Sequence, residues 1–164
     1  MILCYNGVSI LILSIPNSNL GVITMKGCTF FGHRDAPDQL KPKIKDAVLS
    51  LIQRGFTQFY VGNQGAFDRM VLGELEMLAV EFPIRYHIVL AYFPKENLTS
   101  KPTILPEGIE QVPPRFAIGR RNDWMIEHSA VVIAYVYRNY GGAAQYTQKA
   151  RRKGKEIINL FDAT

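Results

Sequence analysis

The run Ala130–Val136, AVVIAYV, narrows the fold more than any other stretch of the chain. It carries no charged side chain and shows no alternation of polar with apolar residues. Such a strand has to be covered on both faces, and parallel sheets packed between helices are where that cover is found. Other segments extend the pattern. Gly27–Phe31 reads as a short buried strand, Phe56–Val61 as a second, Arg85–Tyr92 as a third and Glu156–Leu160 as the last. Each is short and rich in apolar, aromatic or β-branched residues.

Helical spacing fills the gaps. Ile44, Ala47, Val48, Leu51 and Ile52 recur at helical intervals between Asp38, a candidate cap, and about Arg54. Pro42 falls in the first turn, where a missing N–H does little harm, and Gly55 is placed to end the helix. Met70, Val71, Leu75, Leu78 and Ala79 mark a helix over 66–81, closed by Pro83. Arg115–His128 looks helical at least from Arg120, and a last helix runs from the Gly141-Gly142 turn to about Lys153. The order β-α-β-α-β-(loop, α)-β-α-β predicts a three-layer α/β fold around a mainly parallel five-stranded sheet. His87 lies inside the third strand and reads as a core or face histidine.

Two segments stand apart. Residues 1–24 carry no charge, and three readings compete for them: translation that starts at Met25 rather than Met1, an added edge strand, or a membrane anchor. The apolar run Val8–Ile15 is too short to span a bilayer, and no basic region precedes it as a secretory signal requires. The working division is therefore an N-terminal extension, 1–24, and a single domain, 25–164, with no membrane association. The second segment, Phe93–Arg115, holds five of the nine prolines. A structureless stretch of that length inside a compact domain is usually a lid, an insertion or a mobile loop.

Composition limits the function. With 164 residues, 48% hydrophobic and 20% charged, the chain suits one globular domain. The formal net charge of +5 is compatible with an anionic ligand, although solubility alone would account for it. The basic cluster Lys149–Lys153 reads as a solvated helix face. Without a basic, aromatic groove pattern, the sequence speaks against nucleic acid as a partner. Cys4 and Cys28 form no CxxC pair, so neither a disulfide framework nor a metal site is expected. A reducing cytoplasm fits.

In open α/β sheets, ligands bind beyond the carboxyl ends of the strands, where the strand order reverses. The residues just after each strand are the ones to inspect. Gly32, His33 and Arg34 follow the first. Gly62, Asn63, Gln64, Gly65 and Asp68 follow the second. Gly141 and Gly142 follow the fourth. Arg120, Arg121 and Asn122 are expected to open the preceding helix on the same edge. Glycine turns let a ligand approach the backbone, and a helix N-terminus offers unpaired N–H groups to a phosphate. Arg34 and Arg120 suit forked hydrogen bonds to phosphate oxygens, and Arg34 is the stronger choice. Asp68 could accept bonds from ribose hydroxyls or act as a base. Taken singly, each of these also has a purely structural use as a turn former or dipole partner. The dinucleotide fingerprint GxGxxG after the first strand, the P-loop, the GxSxG elbow and HExxH are all missing. No cofactor is expected.

CTFFGHR, YVGNQGAFD and the tract from Arg120 to Leu160 together resemble the SLOG superfamily, the Rossmann-like group that includes the Smf/DprA and Lonely-guy proteins. The likeness is to its small YpsA-like branch, with a GHR after the first strand, a glycine turn ending in Phe-Asp after the second, and a Gly-Gly turn after the fourth. It covers about residues 25–160. It implies a Rossmann-like sheet that binds nucleotides or nucleotide-derived ligands at Gly32, His33, Arg34, Gly62, Gly65, Asp68, Arg121, Asn122, Gly141 and Gly142. The PGGxGTxxE signature of the Lonely-guy phosphoribohydrolases is absent. The first expectation is a ligand-binding sensor or accessory module. The second is an enzyme that cleaves or transfers an N-glycosidic bond, with Asp68 or Glu74 at the oxocarbenium-like centre. In that helix Glu74 also reads as a solvated face residue. The third is a DNA-binding protein of the Smf/DprA kind. Whether the chain forms a homo-oligomer stays open.

Overall fold

The structure, a computed structural model, describes residues 2–5, 8–11, 26–93 and 101–161. The choice between Met1 and Met25 as the start, and residues 94–100 of the proline-rich stretch, lie outside the described residues. Strands β1 (Ile2–Tyr5) and β2 (Val8–Leu11) pair antiparallel in a two-stranded sheet of their own, so the added strand is not part of the main sheet.

The main sheet is built from β3 (Gly27–Gly32), β4 (Gln58–Val61), β5 (Arg85–Val89), β6 (Thr103–Ile104), β7 (Val131–Tyr135) and β8 (Glu156–Asn159). The strand order is β6-β5-β4-β3-β7-β8, and every pairing is parallel. The helices are α1 (Lys41–Gln53), α2 (Ala66–Glu81), α3 (Pro114–Glu127) and α4 (Gly142–Arg152). This is a Rossmann-like three-layer sandwich. It has six strands rather than five: β6 is a two-residue edge strand that escapes any periodicity argument. Asp38 is not a cap either; it lies in a short 3-10 turn that leads into α1.

The pleat explains the layers. Cys28 and Phe30 of β3, with Val131 and Ile133 of β7, pack on the side of α1 and α2, against Ile44, Val48, Leu51 and Phe67. Phe31, Val132 and Ala134 point the other way, against Met125 and Ile126 of α3 and Ala150 of α4. Strands covered on both sides need no polar face, which is why AVVIAYV reads as it does. Full burial of one Val, Ile or Phe contributes about 1.5–3 kcal/mol, so β3 and β7 anchor the domain. Their carboxyl ends are the rigid floor on which the site stands. Among the described residues, no helix is long and apolar enough to cross a membrane.

Candidate functional site

The strand order reverses beside β3: the chain moves outward through β4, β5 and β6, then returns by α3 to lay β7 on the other side of β3. At that point the loops after β3 and β4 diverge from the loop after β7, and the gap between them is a cavity of about 320 Å³. Phe30 and Phe31 line its floor, together with Met125 and Ile118 of α3. The polar lining comes from Gly32, His33 and Arg34 after β3, from Gly62, Gln64, Gly65 and Asp68 after β4, and from Arg138, Gly141 and Gly142 after β7. Arg121 and Asn122 reach it from α3.

Two helices begin at this cavity, and neither carries a side-chain cap. Gly65 precedes α2 in extended backbone, and Gly141 precedes α4 at φ 89°, ψ 172°. Serine, threonine, aspartate or asparagine is the usual solution at such positions. Glycine leaves the first N–H groups facing outward with the helix dipole behind them. The α2 turn is held by backbone instead: the Ala66 N–H donates to the Arg34 carbonyl at 3.1 Å. The Gln64 N–H donates to Asp68 Oδ2 at 2.7 Å.

The charged groups differ in their freedom. Arg121 is buried, and its Nη1 donates to the Val89 carbonyl at 3.1 Å, while its Nε has no hydrogen-bond partner among the described residues. Gly62 makes room for it: a Cβ there would stand 2.7 Å from Arg121 Nη1 and 2.8 Å from Asp68 Oδ2. Burial pushes the Asp68 carboxyl above its ordinary pKa, against the opposing pull of the Gln64 N–H and of Arg121, Arg34 and Arg69. Arg34 is exposed at the rim. Buried His33 packs edge-on against Tyr137, ring centroids 4.7 Å apart. Its Nε2 has no hydrogen-bond partner among the described residues. Burial, and then the nearby Arg138 guanidinium, hold the imidazole below its usual pKa, so it is neutral at pH 7.

Most residues singled out in the sequence meet here. Two do not. Arg120 points away from the cavity and faces Glu127 at 4.0 Å on the exposed side of α3. The helix begins at Pro114, not near Arg120, so residues 120–122 lie mid-helix, where neighbours differ by about 100° in direction. Glu74 is buried in α2 rather than solvated, and it is not among the cavity-lining residues. Conversely, Arg138 lines the cavity, and no motif in the sequence marks it. Its position directly after the central strand was the signal available.

Fold and cavity define a class: a Rossmann-like α/β domain with a crevice site at its switch point. No family model matches the chain, and no curated protein matches it. Among solved structures, it is similar to DNA processing protein A (DprA) from Streptococcus pneumoniae, with a TM-score of 0.63 and 15% sequence identity over 88% of this chain. The match covers 53% of that protein, so this chain spans about half of it. At that identity the likeness speaks for the fold.

Proposed function

We propose that residues 25–164 form a SLOG domain of the YpsA-like kind. Its cavity binds a nucleotide or nucleotide-derived ligand through phosphate, as a sensor or accessory module. The observation that carries this reading is the convergence of two uncapped helix N-termini on one cavity lined by Arg34, Arg121 and Arg138. A phosphate there would accept bonds from orphan backbone N–H groups and answer positive charge that the fold leaves only partly matched. A helix N-terminus contributes about 0.3–1 kcal/mol to such an anion, and up to about 2 in partly buried sites. His33 Nε2 offers a further contact from the wall.

An enzymatic reading rests on Asp68, a carboxyl in the cavity whose acidity burial suppresses. In it, Asp68 would activate the attacking group or steady an oxocarbenium-like sugar. A DNA-binding reading takes support from the fold neighbour, a DNA processing protein, and this weakens the argument from charge against nucleic acid.

One panel separates them. The purified protein is incubated with nucleoside monophosphates, NAD, ADP-ribose and a single-stranded oligonucleotide, and thermal shift and free-base release are followed together. Stabilisation by mononucleotides without released base is the expected result. Base release that disappears in Asp68→Asn establishes the enzyme instead. A shift with the oligonucleotide alone favours DNA, and no shift with any member defeats the ligand site.

A further inference from the structure

The loop after β7 carries an arrangement that phosphate binding does not require. Arg138 lies over two rings at once, its guanidinium carbon 5.0 Å from the Tyr137 centroid and 5.2 Å from the Tyr140 centroid. Asp35, from the loop after β3, fixes the group from below. Its Oδ2 accepts the Tyr137 hydroxyl at 2.8 Å and faces Arg138 Nη1 at 3.5 Å. Tyr137 in turn packs against Tyr135 and Phe161, with centroids 5.5 and 5.9 Å away. The loop is thus braced from several sides, and yet Tyr140 is 66% exposed. A large ring held in place with an open face is an unusual use of a surface residue. It directly precedes Gly141, the residue from which α4 presents its N–H groups, and its neighbour Arg138 lines the cavity.

We propose that Tyr140, backed by Arg138 and Tyr137, is a stacking platform for the planar base of the ligand, and that the cavity therefore selects phosphates that carry a nucleobase over those that do not. This rests on the phosphate-site reading above. Aromatic faces and arginine planes bind bases with little regard to sequence, because every base has a π-face. Exclusion of water between ring and base supplies the affinity, while the helix N-termini fix where the phosphate end lies. Asp35 is the positioning residue: it holds Tyr137 and Arg138 in register without touching the ligand.

The test compares adenosine monophosphate with two base-free probes, ribose 5-phosphate and inorganic pyrophosphate, by titration calorimetry. In the wild-type protein the nucleotide should bind more tightly than either probe. Tyr140→Ala should weaken nucleotide binding about tenfold and leave both probes unchanged, while Tyr140→Trp should retain the preference. Tyr140 is exposed, so these variants should fold as the parent does, which a thermal melt verifies. Equal affinity for nucleotide and probes, or a preference that survives Tyr140→Ala, overturns the platform and leaves the phosphate site standing. Failure of all three ligands to bind the wild-type protein overturns the phosphate site and the platform with it.

Discussion

The two helix starts that face the cavity are both built on glycine, for opposite reasons. At α2 the chain is crowded. A Cβ on Gly65 would stand 2.9 Å from the Arg34 Cα, one on Gly32 2.2 Å from the Phe67 ring, and one on Gly62 would meet Arg121 and Asp68. At α4 the space is open, since a Cβ on Gly141 or Gly142 would meet nothing within 4 Å. What constrains Gly141 is its backbone, in a region of φ and ψ that is essentially glycine's alone. One turn is a packed wall that positions charge, and the other is an open turn beside solvent whose backbone only glycine adopts without strain. Glycine in a sequence does not say which.

Substitutions should separate the two. The largest effect is expected from Gly32→Ala, because Phe67 is 1% exposed and has no room to yield. A loss of about 3 kcal/mol or more is expected in chemical denaturation, at the upper end of overpacking effects. Next, Gly141→Ala should lose about 1–3 kcal/mol through backbone strain alone, while the adjacent Gly142→Ala should be neutral or gain up to about 1 kcal/mol by improving the helix. If both α4 variants behave alike, the strain account of that turn is wrong. Gly62→Ala should change stability less, since the atoms it meets are side-chain ends that can swing. It should nevertheless weaken phosphate binding about tenfold by displacing Arg121, equivalent to about 1.4 kcal/mol; calorimetry on the variant decides this.

The smallest effect expected is on pH dependence, where two buried groups of the cavity diverge. His33 has a folded pKa below its unfolded value of 6.5, so the unfolded chain takes up the proton first. Stability should fall as pH drops below 6.5 towards the folded value, and His33→Gln should flatten that limb. Asp68 runs the other way. Its folded pKa is raised above 3.8, so its favourable contribution is full below 3.8 and is lost as pH rises through the folded value. Asp68→Asn should therefore stabilise the unliganded protein at pH 7. Denaturation curves from about pH 3.5 to 7 check both.

These contrasts also show where the sequence could be read. Helix α2 was legible to the residue, because a regular apolar stripe sits between Gly65 and Pro83. The same logic failed at α3. Its buried set mixes Ala117, Met125 and Ile126 with Arg121 and Asn122, so no clean stripe says that Arg121 faces inward and Arg120 outward. Pro113 and Pro114 read as loop although a proline in the first turn is an ordinary helix start. Strand β6 is too short for any period to show. The site itself was legible as a set of strand ends, since topology alone brings them together. The Asp35–Tyr137–Arg138 brace was not, because its members lie about a hundred residues apart and only the pairing of β3 with β7 makes them neighbours.

The missing caps have a kinetic side. A helix end whose first N–H groups lack a partner opens and closes rapidly, and its amides trade hydrogen with solvent long before the core does. An occupant of the cavity would close both ends at once, one on each side of β3. Deuterium uptake at residues 67–68 and 142–144 should then slow in concert. The central strands would show no change, so the first turns of α2 and α4 would serve as a built-in gauge of occupancy.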